Sequence, residues 1–292
     1  MNILPAFLAA SLLSLSAVGC ASSTEDAASD SAAVTSAART IAGTTEARHE
    51  RLGGVWNVTG IDNDQDLSLG IIEFGGGDPA MNGNQLFLSA YGSDHGDGGV
   101  FELGLNISGF TKAEMVGPAT LKITGTHDTI GGPNDAIQSG VPFEATVKLT
   151  VKDGNVLDHA TVTHDGSSEE VARSTDAGVA FMSSIFEVKS QESANGTIVR
   201  LFEYGGGDPA MNGDQLMLSV MTYPEETTYD LGLDVNTVDK LTVVGEKEVR
   251  IEGSEHFMSA NGAIESRPYA YRIDLALAPN GAPGPVKLTR TK

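Results

Sequence analysis

Asp78 and Asn82 are the residues whose types and spacing most invite a chemical reading. They stand four positions apart in Glu73–Ser89, EFGGGDPAMNGNQLFLS, and return as Asp208 and Asn212 in Glu203–Ser219, EYGGGDPAMNGDQLMLS, 130 positions further on. Fourteen of these seventeen positions are identical, and Gly75–Gly83 matches Gly205–Gly213 without a change, while the flanking segments differ far more. A carboxylate, a carboxamide and glycine N–H groups beside Phe74 or Tyr204 make a polar cup with a ring face, a combination suited to sugar hydroxyls and sugar rings. Asp78 with backbone carbonyls is also a donor set for calcium. A phosphate cradle fits less well, because the glycines lead into a strand and not into a helix N-terminus. The conformational alternative needs no ligand. Asp78-Pro79 has the form of a helix N-cap followed by proline at the first helical position, and Asn82-Gly83 that of the matching stop, within a ten-residue connection from Gly75 to Asn84.

Other polar clusters carry less. Asp62, Asp64 and Asp66 alternate like the start of a calcium loop but lack its later glycine and bidentate glutamate, and the second copy reads Gln191-Glu192-Ser193-Ala194-Asn195 there. Asp94, His95 and Asp97 are not kept in the second copy either. His127, His159 and His164, with Asp128, Asp158 and Asp165, are acid/base candidates without a recognisable spacing. No nucleophile elbow, zincin helix, P-loop or dinucleotide fingerprint is present.

The elements that must position these residues are legible as alternation. Phe101, Leu103, Leu105 and Ile107 match Tyr229, Leu231, Leu233 and Val235, and Phe143, Ala145, Val147, Leu149 and Val151 alternate with polar residues, which is the period of a strand with one face buried. The offset between copies falls from 130 to 128 and then to about 126 where loops shorten, because a one-residue slip inside a strand would turn its apolar face outward. The expectation is an all-β chain of two tandem homologous antiparallel domains, each a sandwich or small barrel of about seven strands. Gly54-Val55-Trp56 resembles the G-x-W that opens the first strand of lipocalin-like barrels, which would imply closure; the second copy has Ser184-Ile185-Phe186. The expected boundaries are a signal peptide over 1–19, a flexible tether over 20–50, β domains over 51–166 and 182–292, and a linker over 167–181.

A net charge of −21, from 18 basic and 39 acidic residues, argues against nucleic acid and against anionic lipid as partners. The one cysteine, Cys20, leaves stability to packing and not to an intrachain disulfide. It follows an uncharged apolar run from Ile3 to Val18, and Ala17-Val18-Gly19-Cys20 resembles the lipobox of bacterial lipoproteins. That resemblance implies a diacylated Cys20 as the mature N-terminus. With no aspartate at the next two positions, it also implies an outer-membrane lipoprotein held at the membrane through that residue. The functional expectation is a cell-surface binding module for a carbohydrate or protein ligand, through Phe74, Asp78, Asn82, Tyr204, Asp208 and Asn212, with no required cofactor. A structural envelope protein and a surface-polymer hydrolase are the alternatives. Replacing Cys20→Ser should move the chain from the membrane to the soluble fraction of lysed cells; an unchanged distribution would contradict lipidation.

Overall fold

The computed structural model describes residues 38–292 apart from 50, 63–66, 77–81, 93–98, 132–135, 153–155 and 209–211, and only the backbone of 67, 91, 92, 151, 156, 207 and 208. Asp78 therefore lies outside the described residues, as do Cys20 and the side chain of Asp208. The described residues form one compact unit.

A three-residue strand, β1 (Arg39–Ile41), opens the fold, followed by two short 3₁₀ turns at Ala47–His49 and Leu52–Gly54. Then come β2 (Val55–Ile61), β3 (Leu67–Gly75), β4 (Asn84–Gly92), β5 (Gly99–Ile107), β6 (Gly109–Gly117), β7 (Thr120–Ile130), β8 (Ile137–Lys152), β9 (Val156–His164) and β10 (Ser167–Ala172). A six-residue helix, α1 (Ala177–Met182), precedes β11 (Ile185–Glu192), β12 (Ile198–Asp208), β13 (Asn212–Thr222), β14 (Glu225–Val235), β15 (Thr237–Val244), β16 (Glu248–Met258), β17 (Ile264–Asp274) and β18 (Val286–Arg290). Asp176 caps α1 by accepting from the N–H groups of Gly178 and Val179.

All pairings are antiparallel, and the strands fall into four open sheets, so the barrel allowed by the G-x-W resemblance is not formed. Lobe one is a sandwich of β2-β3-β4-β5 against β10-β9-β8-β7-β6; lobe two is β11-β12-β13-β14 against β1-β18-β17-β16-β15. Closure fails because Ser108 carries the chain from the end of one sheet straight into the other, and β5 and β6 do not pair. Each lobe has nine strands, more than the expected seven. β6 and β7 are joined by a tight turn at Gly117–Thr120, with Ala119 at a φ of 52°.

The leading segments show a reciprocal exchange. Residues 39–41 and 169–171 are repeat equivalents at the offset of 130. Arg39 pairs with Leu288 in the second lobe, and Glu169 pairs with Val162 in the first, which is the same register once the 126 offset between β9 and β18 is applied. Thr44 N–H to Thr228 O, 2.7 Å, is likewise echoed by Ser174 N–H to Val100 O, 2.9 Å. Each repeat therefore begins with a strand laid on the other repeat's sheet. The tether span thus contains β1, and the linker span contains β10 and most of α1; strands of three to six mostly exposed residues are too short to show a period.

The cores follow from parity along the strands. In β3, Leu69 and Ile71 face the first sandwich core while Ile72 and Phe74 face the other way; in β12, Val199 and Leu201 face the second core while Phe202 and Tyr204 face outward from it. Those outward faces meet in a third core. It contains five repeat-equivalent pairs, Leu52 with Met182, Val55 with Ile185, Ile72 with Phe202, Phe74 with Tyr204 and Phe87 with Met217, together with Val100 and Val179. The lobes are thus joined about a pseudo-twofold axis through apolar faces that neither could leave in water.

Candidate functional site

The repeated stretch is strand rather than loop over most of its length. In the first copy the β3–β4 ladder reaches Gly75–Asn84, and Gly76 N–H donates to Gly83 O at 3.2 Å. In the second, Asp208 pairs with Asn212 across a register shift between Gly205 and Asp208, so the glycines form an irregular strand end and not the expected ten-residue connection. Pro79 and Met81, and their counterparts Pro209 and Met211, where a helical turn was expected, lie outside the described residues.

Phe74 and Tyr204 are in the third core, not at a surface. Phe74 stacks on Phe87 with ring centroids 5.0 Å apart, and Tyr204 packs against Phe181 at 5.2 Å. Burial pushes the Tyr204 phenol up to about 12. Neither ring face is open to a sugar.

Asn82 and Asn212 are committed in an identical way. Asn82 accepts from Asp128 N–H at 2.7 Å and donates to Asp128 O at 2.9 Å. Asn212 does the same with His256, at 2.7 and 3.0 Å. Asp128 and His256 are repeat equivalents on β7 and β16, so in each lobe one carboxamide clips the strand end to a long hairpin. Gly75 and Gly205 are held for another reason. A Cβ on Gly205 would stand 2.8 Å from the Phe186 ring, and one on Gly75 would meet the Trp56 indole.

The clipped hairpins protrude. β6 pairs with β7 only up to Thr126, and β9 pairs with β8 only from Ala145, so residues beyond these limits have no flanking strand. In lobe two, β15 reaches Ser254 and β18 starts pairing at Tyr271. Each arm ends in a cross-strand aliphatic pair: Ile130 opposite Ile137 and Met258 opposite Ile264, which are 61%, 50%, 63% and 50% exposed. Asp128 also braces its arm through its carboxylate, which accepts from Gly140 N–H at 3.0 Å and is held below its ordinary range by that bond.

Exposure itself repeats. Among the described residues, Trp56 and Phe186, Val116 and Val244, Ile130 and Met258, and Ile137 and Ile264 are all exposed large apolar residues at equivalent positions; Tyr223 alone has no described counterpart. Two copies whose sequences have diverged both carry large apolar side chains in water at these positions.

The histidine candidates assemble only in part. His127 and His164 meet edge to face at 5.9 Å around Phe143, while His159 is apart, with Asp158 at 3.0 Å. In lobe two Glu255 and Arg290 stand in place of His127 and His164, as an ion pair at 2.7 Å. Among the described residues no three His, Cys, Asp or Glu side chains converge as a metal site would require.

The junction between the lobes breaks its own symmetry. Arg200, 1% exposed, lays its guanidinium over the Trp56 ring at 3.9 Å, donates to Gly53 O and lies 3.7 Å from Glu226, which accepts from Ser219 Oγ. Burial lowers its pKa. At the equivalent place on the other side stands Gly70, beside Phe186 and Ser89, bounding a cavity of about 180 Å³. A wider cleft of about 400 Å³ lies between Gly43, His49, Glu226 and Thr227. Sequence reading did not single out Arg200, although an arginine opposite a glycine at position 70 is a visible difference between otherwise parallel strands.

The chain matches no known family model, no curated protein and no solved structure.

Each Asn clip supplies two partly buried hydrogen bonds, at about 1 kcal/mol apiece. Asn82→Ala and Asn212→Ala should each cost about 2 kcal/mol in urea unfolding. They should also speed amide exchange at Asp128–Ile130 or His256–Met258, respectively; unchanged exchange there would contradict the clip.

Proposed function

We propose that this chain is a non-catalytic, lipid-anchored binding protein of the cell envelope that engages a protein partner through the paired tips of its two β arms. The observation that carries this reading is the recurrence of exposed aliphatic pairs, Ile130–Ile137 and Met258–Ile264, on equivalent protruding hairpins. Water-exposed apolar side chains cost solubility, and two copies free to lose them have not. On this reading the GGGDPAMNG stretch is invariant because its asparagine positions the arm, not because it touches the ligand. Carbohydrate recognition by Phe74 or Tyr204 loses its support, since both rings are interior. A partner with two equivalent surfaces would gain avidity when both arms reach it together. Anchoring through Cys20 rests on the lipobox-like sequence, with residues 21–38 as the spacer that carries the lobes clear of the membrane.

The test is site-specific photo-crosslinking in cells producing the full chain, with the probe at position 130 or 258 and a control probe at the exposed Tyr223. Positions 130 and 258 should give a product of the same mass. Ile137→Glu or Ile264→Glu should lower the product from the same arm about ten-fold, the ratio for roughly 1.4 kcal/mol. Equal yield of that product from Tyr223, or no effect of the glutamates, would contradict the reading.

A further inference from the structure

The pseudo-twofold axis turns the protein into its own template for a ligand site. Most of the Arg200 site has a counterpart on the opposite side: Trp56 corresponds to Phe186, Gly53 to Ser183, Ser219 to Ser89 and Ser190 to Gly60, while Glu226 falls on Gly98, outside the described residues. The occupant differs, because Arg200 is replaced by Gly70. Where Arg200 would lie, the structure has a cavity of about 180 Å³ lined by Phe186, Gly70, Ser89, Ser183, Val58 and Ile185. We propose that this cavity binds a guanidinium group supplied from outside the chain, stacked on the Phe186 ring as Arg200 is stacked on Trp56.

The chemistry favours that class. A guanidinium is planar and weakly hydrated, stacks on aromatic faces and forms hydrogen bonds at its rim, whereas an ammonium is compact and holds its water more strongly. Phe186 is 57% exposed, and the serines supply acceptors around an otherwise apolar wall of Val58 and Ile185. The chain's net charge of −21 raises the local concentration of any cation. The arms at Ile130 and Met258 play no part in this site, so it stands independently of the partner reading.

The site can be closed with the protein's own device. A Cβ on Gly70 would meet only Thr59 O at 3.6 Å and Val58 Cγ1 at 3.8 Å, ordinary contacts, so Gly70→Arg can enter the strand and refill the cavity as in the other lobe. The measurement is a methyl NMR titration of the full chain in detergent, following Val58 and Ile185. The probes are agmatine and a short arginine peptide, with cadaverine and the matching lysine peptide as controls. The expected result is saturable shifts with the two guanidinium probes, about ten-fold weaker with the ammonium controls, and lost in Gly70→Arg. Phe186→Leu, which keeps the apolar volume without the ring, should weaken agmatine binding by a similar factor. Tighter binding of the peptide than of agmatine would assign the site to a protein-borne arginine, and equal binding to a free small molecule. Equal shifts with cadaverine, absent shifts, or binding that survives Gly70→Arg would overturn the proposal.

Discussion

The constraint on which the rest of the structure depends is that the two four-stranded sheets are apolar on both faces. One face of each closes its own sandwich, and the other has no partner inside its lobe. A chain with Ile72, Phe74 and Phe87 on one such face, and Phe202, Tyr204 and Met217 on the other, can keep them from water only by bringing the two faces together. Each large side chain so buried contributes roughly 1.5–3 kcal/mol, an upper bound against a compact unfolded chain. Summed over the joint, this gross burial term is large against the net stability of a typical domain, before conformational entropy is subtracted. The exchanged strands β1 and β10 follow the same logic, since each ties the start of one repeat to the sheet of the other.

Duplication also supplies a comparison within one molecule. Where the two copies agree, a shared demand is at work: a glycine under an aromatic ring, an asparagine clipped to a hairpin, an aliphatic pair in water. Where they differ at one residue inside a conserved frame, the difference becomes informative. Arg200 against Gly70 is such a case, with one lobe carrying a charged side chain in the joint and the other a cavity of about 180 Å³.

Much of the fold was legible because alternation and repeat offset are both periodic signals. Phe101–Ile107 and Phe143–Leu149 are strands as their spacing implies, and they bury the alternate residues. The third core was legible in principle and missed: Leu69, Ile71, Ile72 and Phe74 put apolar residues on both parities, the pattern of a strand covered on both faces. The leading strands were not legible: the three paired residues of β1 give no period and its partner lies some 250 positions away, and β10, though it follows β9 directly, is a run of mostly exposed polar residues without alternation. The candidate site was legible only as identity. The sequence could show that Asn82 and Asn212 are held fixed, but not that their partners are backbone groups of Asp128 and His256, since such a partner leaves no trace in residue type.

The central claim is that the shared apolar joint makes the two lobes a single folding unit. The direct measurement is equilibrium unfolding of the full chain, with Trp56 fluorescence reporting on the joint, far-UV circular dichroism on all strands, and amide exchange at Leu121–Ile123 and Val249–Ile251 on each lobe. The account predicts one transition with the same midpoint for every probe. Loss of exchange protection in one lobe at lower denaturant than in the other, with Trp56 changing in that first step, would contradict it.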